Sequence, residues 1–186
     1  MEAFLSGTVG VALAEMGDKT QLLAILLAAR FRAPWPILAG ILVATLANHA
    51  LAAGLGALVA DRLDGLWFRA AVGLGFLLMA GWALVPDRPE TPPLRGRGVF
   101  WTTAFAFFLV EIGDKTQVAT VLLGARHQDV AMVTLGTTLG MMLANAPAVW
   151  LGERIMRVVP LRWVRVGAAA LFAGLGAWLL AGALWR

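Results

Sequence analysis

Six stretches of this 186-residue chain are apolar over the length that a helix needs to cross a bilayer, which removes most soluble folds at once. They run approximately 3–30, 36–60, 66–85, 98–125, 130–152 and 162–185. A spanning helix takes roughly 20 apolar residues, because the hydrocarbon core is about 30 Å thick and each residue rises about 1.5 Å. Between the stretches lie short polar joints: "RFRAPWP", "DRLDG", "PDRPETPPLRGRG", "RHQD" and "ERIMRVVPLR". The chain is 60% hydrophobic and 14% charged, with a mean hydropathy of +0.80. Soluble domains are nearer 45–50% apolar and about 25% charged. The expected fold class is an all-α membrane protein with six transmembrane helices. "MEAFLSG" carries Glu2 and no basic region, so no cleavable signal peptide is read at the start.

The stretches fall into two sets of three that repeat 96 positions apart. "EMGDKTQLLAILLAARF" at 15–31 parallels "EIGDKTQVATVLLGARH" at 111–127, and "TLANHA" at 45–50 parallels "MLANAP" at 142–147 with one residue inserted. Trp82 and Trp178 match at the same offset. Three spans per half is an odd number, so the second half enters the membrane from the opposite side. That predicts two inverted-topology repeats, a plan shared by many secondary transporters. The first repeat is 1–86, the linker 87–97 and the second repeat 98–186.

Arginine orients the bundle. The joints after spans 1, 3 and 5 hold nine (Arg30, Arg32, Arg88, Arg95, Arg97, Arg154, Arg157, Arg162 and Arg165), and the other side holds four (Arg62, Arg69, Arg126 and Arg186). Cytoplasmic loops favour basic residues, so both termini are expected outside and the linker in the cytoplasm. Trp35, Trp67, Trp101, Trp150, Trp163 and Trp185 near the span ends suit interfacial anchors. The arginines form no basic stripe, so a nucleic-acid partner is not expected despite a net charge of +4. There is no cysteine, which excludes disulfides and thiolate metal sites. Gly136 and Gly140, continued by Ala144 and Ala148, and Gly40, Ala44 and Ala47 read as close-packing positions.

The charges inside the apolar stretches carry the functional information. The first stretch, as one straight helix of 28 residues, would be about 42 Å long, so it must tilt strongly or break. Gly17 is the weak point and Gly113 its twin, so spans 1 and 4 are expected to break or tilt at "AEMGDKTQ" and "VEIGDKTQ". Both motifs fall near the middle of their segments, hence near the bilayer midplane. On a helix Glu15, Asp18 and Gln21 follow at i, i+3 and i+6, and Glu111, Asp114 and Gln117 repeat the wall. Ionisable groups at that depth cost about 2.5–3.5 kcal/mol each and by default mark a pathway. Lys19 and Lys115 neutralise two of four carboxylates, leaving a formal charge of −2, which suits one divalent cation or two protons. An oxygen-only donor set, with Thr20 and Thr116 in support, suits hard cations such as Ca²⁺, Mg²⁺ or Mn²⁺. Asn48 and Asn145 are second-tier candidates alongside Lys19, Thr20, Lys115 and Thr116. His49 has no twin and reads as a packed or pore-facing polar residue.

Two copies of Glu-x-Gly-Asp-Lys-Thr, as "EMGDKT" and "EIGDKT", in a chain of this plan resemble the UPF0016 or Gdt1 family, and the resemblance covers both halves. It implies a secondary transporter of Mn²⁺ or Ca²⁺ that exports the metal in exchange for protons, with no prosthetic group. Its site would lie at the repeat interface, with Glu15, Asp18, Glu111 and Asp114 binding metal and proton in turn and Gln21 and Gln117 completing the metal shell. A bacterial-type member in the inner membrane is the expected setting, because the linker lacks the acidic loop of eukaryotic relatives. An exporter of a cationic organic solute is the other transport reading. A metal-dependent intramembrane hydrolase or a structural subunit leaves the duplicated charged motif unexplained, and no Ser/His or Cys/His constellation is present. The protein is therefore expected not to be an enzyme.

Overall fold

The computed structural model describes residues 1–63, 65–86, 98–152 and 161–184. Eight helices account for all regular structure among them: α1 (Glu2–Glu15), α2 (Lys19–Phe31), α3 (Pro34–Arg62), α4 (Leu66–Ala83), α5 (Val99–Glu111), α6 (Lys115–His127), α7 (Val130–Leu151) and α8 (Leu161–Leu184). The linker 87–97 lies outside the described residues, as do Arg154, Arg157, Arg186 and Trp185. Four helices are long and apolar enough to cross a membrane: α3, α4, α7 and, over Arg162–Ala183, α8. The first and fourth apolar stretches do not run straight. Each breaks into two half-length helices at its charged motif, and a 29-residue helix such as α3 shows that length alone did not force the break.

The helix ends sort into two ends of a bundle. Arg126 at the finish of α6 pairs with Glu2 at the start of α1, and a cavity there is also lined by Ala60 of α3 and Phe68 of α4. We call this the near end. At the far end the start of α3 meets the finish of α7, where the Trp35 and Trp150 rings cross edge-on at 5.6 Å.

Close backbone approach holds the helices together, as expected where lipid supplies no hydrophobic drive. α1 runs beside α7, with Thr8 donating to the Gly136 carbonyl at 3.1 Å. A Cβ at Gly136 would come within 2.3 Å of the Phe4 carbonyl oxygen, and one at Gly140 within 2.5 Å of that of Thr8. Both glycines are thus needed for their size. α3 runs beside α5 in the matching way, with Gly40 against Phe100 and Thr103. Two apolar clusters result, one around Phe76, Leu123 and Phe172, the other around Leu27, Ile41, Phe107 and Met141. α4 and α8 form a separate pair in which Phe76 stacks on Phe172 at 6.3 Å. This pair packs on α6 through α4 and on α1 through α8.

Candidate metal centre at the two helix breaks

Each break takes three residues. Met16 leaves α1 with an extended ψ of 115°, Gly17 turns at φ 80°, and Asp18 stands as N-cap of α2 with ψ 170°. Ile112, Gly113 at φ 77° and Asp114 repeat the path between α5 and α6. A positive φ of this kind is the left-handed region, which costs an L side chain roughly 1–2 kcal/mol, so glycine belongs at both positions. Asp18 N–H donates to the Glu15 carbonyl and Asp114 N–H to that of Glu111, both at 3.1 Å.

Breaking a helix strands backbone groups that need other partners. Here the glutamines answer that need. Gly17 N–H donates to Gln21 Oε1 at 2.9 Å, and Gly113 N–H to Gln117 Oε1 at 2.7 Å. Sequence reasoning assigned these amide oxygens to the metal; the structure engages each with the broken backbone, leaving one lone pair.

The break also sets the electrostatics. Glu15 and Glu111 are the last residues of α1 and α5, where the helix dipole is negative and favours a cation. Asp18 and Asp114 are the N-caps of α2 and α6 and make no side-chain cap bond. Ligand oxygens of Glu15, Asp18 and Asp114 lie within 4.8 Å of one another, and all three residues are buried. Two come from the first motif and one from the second. Glu111, also fully buried, stands outside that set.

Each threonine serves the glutamate five residues before it, across the break. Thr20 donates to Glu15 Oε2, and the Thr116 hydroxyl lies 3.2 Å from Glu111 Oε2 and 3.4 Å from Asp114 Oδ2. Among the described residues, the second oxygen of each glutamate, Oε1, has no hydrogen-bond partner. A buried carboxylate oxygen without a donor is costly unless a proton or a cation fills the place. Lys19 reaches from the first motif to Asp114 of the second at 3.2 Å. Its twin Lys115 donates to the Val85 carbonyl at 2.6 Å, just past α4.

Comparison with known proteins shows the family. The family model for the divalent cation/proton antiporter GDT1 matches residues 3–91 and 99–185. The chain belongs to the GDT1 family. A protein of Vibrio cholerae serotype O1 (strain ATCC 39541 / Classical Ogawa 395 / O395) named "Putative manganese exporter" is 52% identical over 164 residues, which cover 87% of this chain and 82% of that protein. No solved structure matches. Membership in this membrane transporter family, together with the long apolar helices, makes this an integral membrane protein.

The remaining candidates of this GDT1 member divide. Asn48 donates to the Phe108 carbonyl at 3.1 Å, and its Oδ1 lies 3.5 Å from Gln117 Nε2, so it links α3 to both half-helices of the second motif. Asn145 turns back to the Met141 carbonyl of its own helix at 3.1 Å. His49 is fully buried, and among the described residues neither ring nitrogen has a partner. Two participants escaped sequence reasoning, the carbonyls of Val85 and of Ala144, which accepts from Gln21 Nε2 at 2.9 Å. No side-chain pattern marks a backbone carbonyl, so neither could be read beforehand.

Proposed function

We propose that this protein exports a divalent cation, manganese in the first instance, in exchange for protons, and that the ion is held at the two helix breaks. The observation that carries this reading is the convergence of Glu15, Asp18 and Asp114, buried and drawn from both motif copies. Oxygen donors of this kind suit Mn²⁺, Ca²⁺ or Mg²⁺. The relative's name favours manganese, and the family's description favours proton exchange.

In this reading the three carboxylates bind the ion, and the Lys19 ammonium holds Asp114 in place until the metal displaces it. Glu111, Gln21 and Gln117 complete the surroundings of the ion, and Glu111 with the three ligand acids takes up protons when the metal leaves. Four carboxylates against two ammonium groups give −2, a charge too costly to leave bare in a dry site. Two protons or one divalent cation bring it to zero, so the two compete. The six apolar stretches form two inverted repeats, 1–86 and 98–186, joined by a cytoplasmic linker, and the twofold match of the family model supports that division. The site then opens in turn to each side of the membrane.

Metal uptake into proteoliposomes, with Mn²⁺, Ca²⁺ and Mg²⁺ in competition and without added organic solute, tests the transport reading. Mn²⁺ flux that a carboxylate-to-amide change at Glu15 abolishes is the expected result. Flux only of organic cations, or undiminished Mn²⁺ flux in Glu15→Gln, overturns it. Orientation has its own test: a cysteine replacing Thr91 in the linker should resist membrane-impermeant thiol reagents in intact cells and react after lysis.

A further inference from the structure

At the near end of the bundle one side chain ties three helices together, and among the described residues the far end reproduces this only in part. Arg126 extends from α6 with its side chain 6% exposed, pairs with Glu2 of α1 at 2.5 Å, and lies over the Trp178 ring of α8 at 4.6 Å from its centre. Ser6 of α1 and His127 of α6 add a contact at 3.3 Å. One guanidinium thus joins α1, α6 and α8, two of which carry the metal motifs at their other ends. It stands in the wall of a cavity of about 330 Å³ that is lined also by Arg69, Ala125 and Leu179.

The repeat supplies the comparison. At the same 96-residue offset Arg126 corresponds to Arg30, Trp178 to Trp82 and Glu2 to Gly98. Arg30 is exposed and sits over its own neighbour Phe31 at 5.5 Å, not over Trp82. The α4–α8 pair leans the same way. α4 packs on α6, where Gly75 faces Leu122, and α8 packs on α1, where Gly10 faces Phe172. The repeat-related contacts, α8 with α2 and α4 with α5, are marginal at most among the described residues.

We propose that Arg126, held by Glu2 and Trp178, is the bolt of a gate at the near end, and that the carrier rests closed there because the far end has no acid where Gly98 stands. Arg30 and Trp82 form the corresponding contact when the α4–α8 pair leans the other way, but that contact lacks the ion pair and is the weaker of the two. The resting protein therefore loads from the far end. This rests on the transport reading above, and with the orientation proposed there the far end faces the cytoplasm, as export requires.

The chain has no cysteine, so a single introduced thiol reports cleanly. Ala125→Cys places one on a buried wall of the cavity. In the full-length protein in liposomes without metal, its reaction with a small thiol reagent should be slow. Glu2→Gln and, independently, Trp178→Leu should each speed it by roughly two- to fivefold, since the Glu2 side chain is 68% exposed and an exposed ion pair or cation–ring contact is a weak tie. Asp61→Asn, an exposed acid at the same end, should leave the rate unchanged. Unchanged labelling in both gate variants overturns the proposal. So does an equal rise at Ala24→Cys, a fully buried position in the far-end cluster, since that would be general loosening. No metal enters the measurement, so its failure is distinct from failure of the transport reading.

Discussion

The two motif copies share six of their eight residues and nearly the same backbone path, yet their side chains find different partners. In the first copy Gln21 is buried and its amide reaches the Ala144 carbonyl, while Lys19 crosses to Asp114. In the second, Gln117 is half-buried beside Asn48, Lys115 turns to Val85, and Ile112 and Gly113 are exposed. Local sequence therefore sets the break, and the surrounding helices set which acids meet. The difference teaches that a duplicated motif need not give duplicated roles: three acids form the compact set and Glu111 stands beside it.

Removing one carboxylate at a time separates the two copies most strongly. Glu15→Gln should lose both equilibrium Mn²⁺ binding and transport. Removal of an outer-shell partner costs roughly 10–100-fold in metal affinity, and a direct ligand should cost more. Glu111→Gln should also nearly abolish transport but cost less affinity, roughly 10–100-fold, because its carboxylate lies outside the compact set and, on the proposed reading, serves proton uptake. Calorimetric metal titration of both variants checks this. Equal loss of binding would make the site symmetric and end the distinction drawn here.

The glutamines come next. Gln21→Ala leaves a stranded Gly17 N–H and removes the buried bond to the Ala144 carbonyl, and should destabilise the protein by about 1–3 kcal/mol. Gln117→Ala removes one good bond, at a partly exposed break, and a weak one of 3.5 Å, so its cost should stay under about 1 kcal/mol. Thermal unfolding in detergent separates the two. Gly17→Ala and Gly113→Ala should show the smallest difference, since both carry a positive φ and each should cost about 1–2 kcal/mol. Markedly unequal values would mean that the two breaks are not equivalent in backbone.

Much of this was legible in the residues. The weak point could be read from Gly17 between two acids at the middle of an apolar stretch, but not from length, since α3 runs unbroken over 29 residues. The helix bounds fall close to the apolar stretches. The acids were legible because burying charge in lipid demands a reason. What could not be read was the pairing across repeats. Lys19 with Asp114 joins residues 95 positions apart, and only packing of α2, α5 and α6 decides it. The role of Gln21 and Gln117 was missed for a simpler reason: a helical i, i+3 wall was assumed, and the break itself created the N–H groups they satisfy. Gly136 and Gly140 were read as packing residues, and their approach to Phe4 and Thr8 agrees.

On the proposed reading, one buried site, assembled from both copies, takes either a divalent cation or protons. Proteoliposomes with a luminal pH probe and a Mn²⁺ gradient directed outward test it most directly. Metal leaving the vesicles should draw protons in. Lowering the pH on the metal-binding side should weaken apparent Mn²⁺ affinity, because protonated carboxylates no longer coordinate. Mn²⁺ flux with no proton movement, and an affinity that stays flat with pH, would contradict the account.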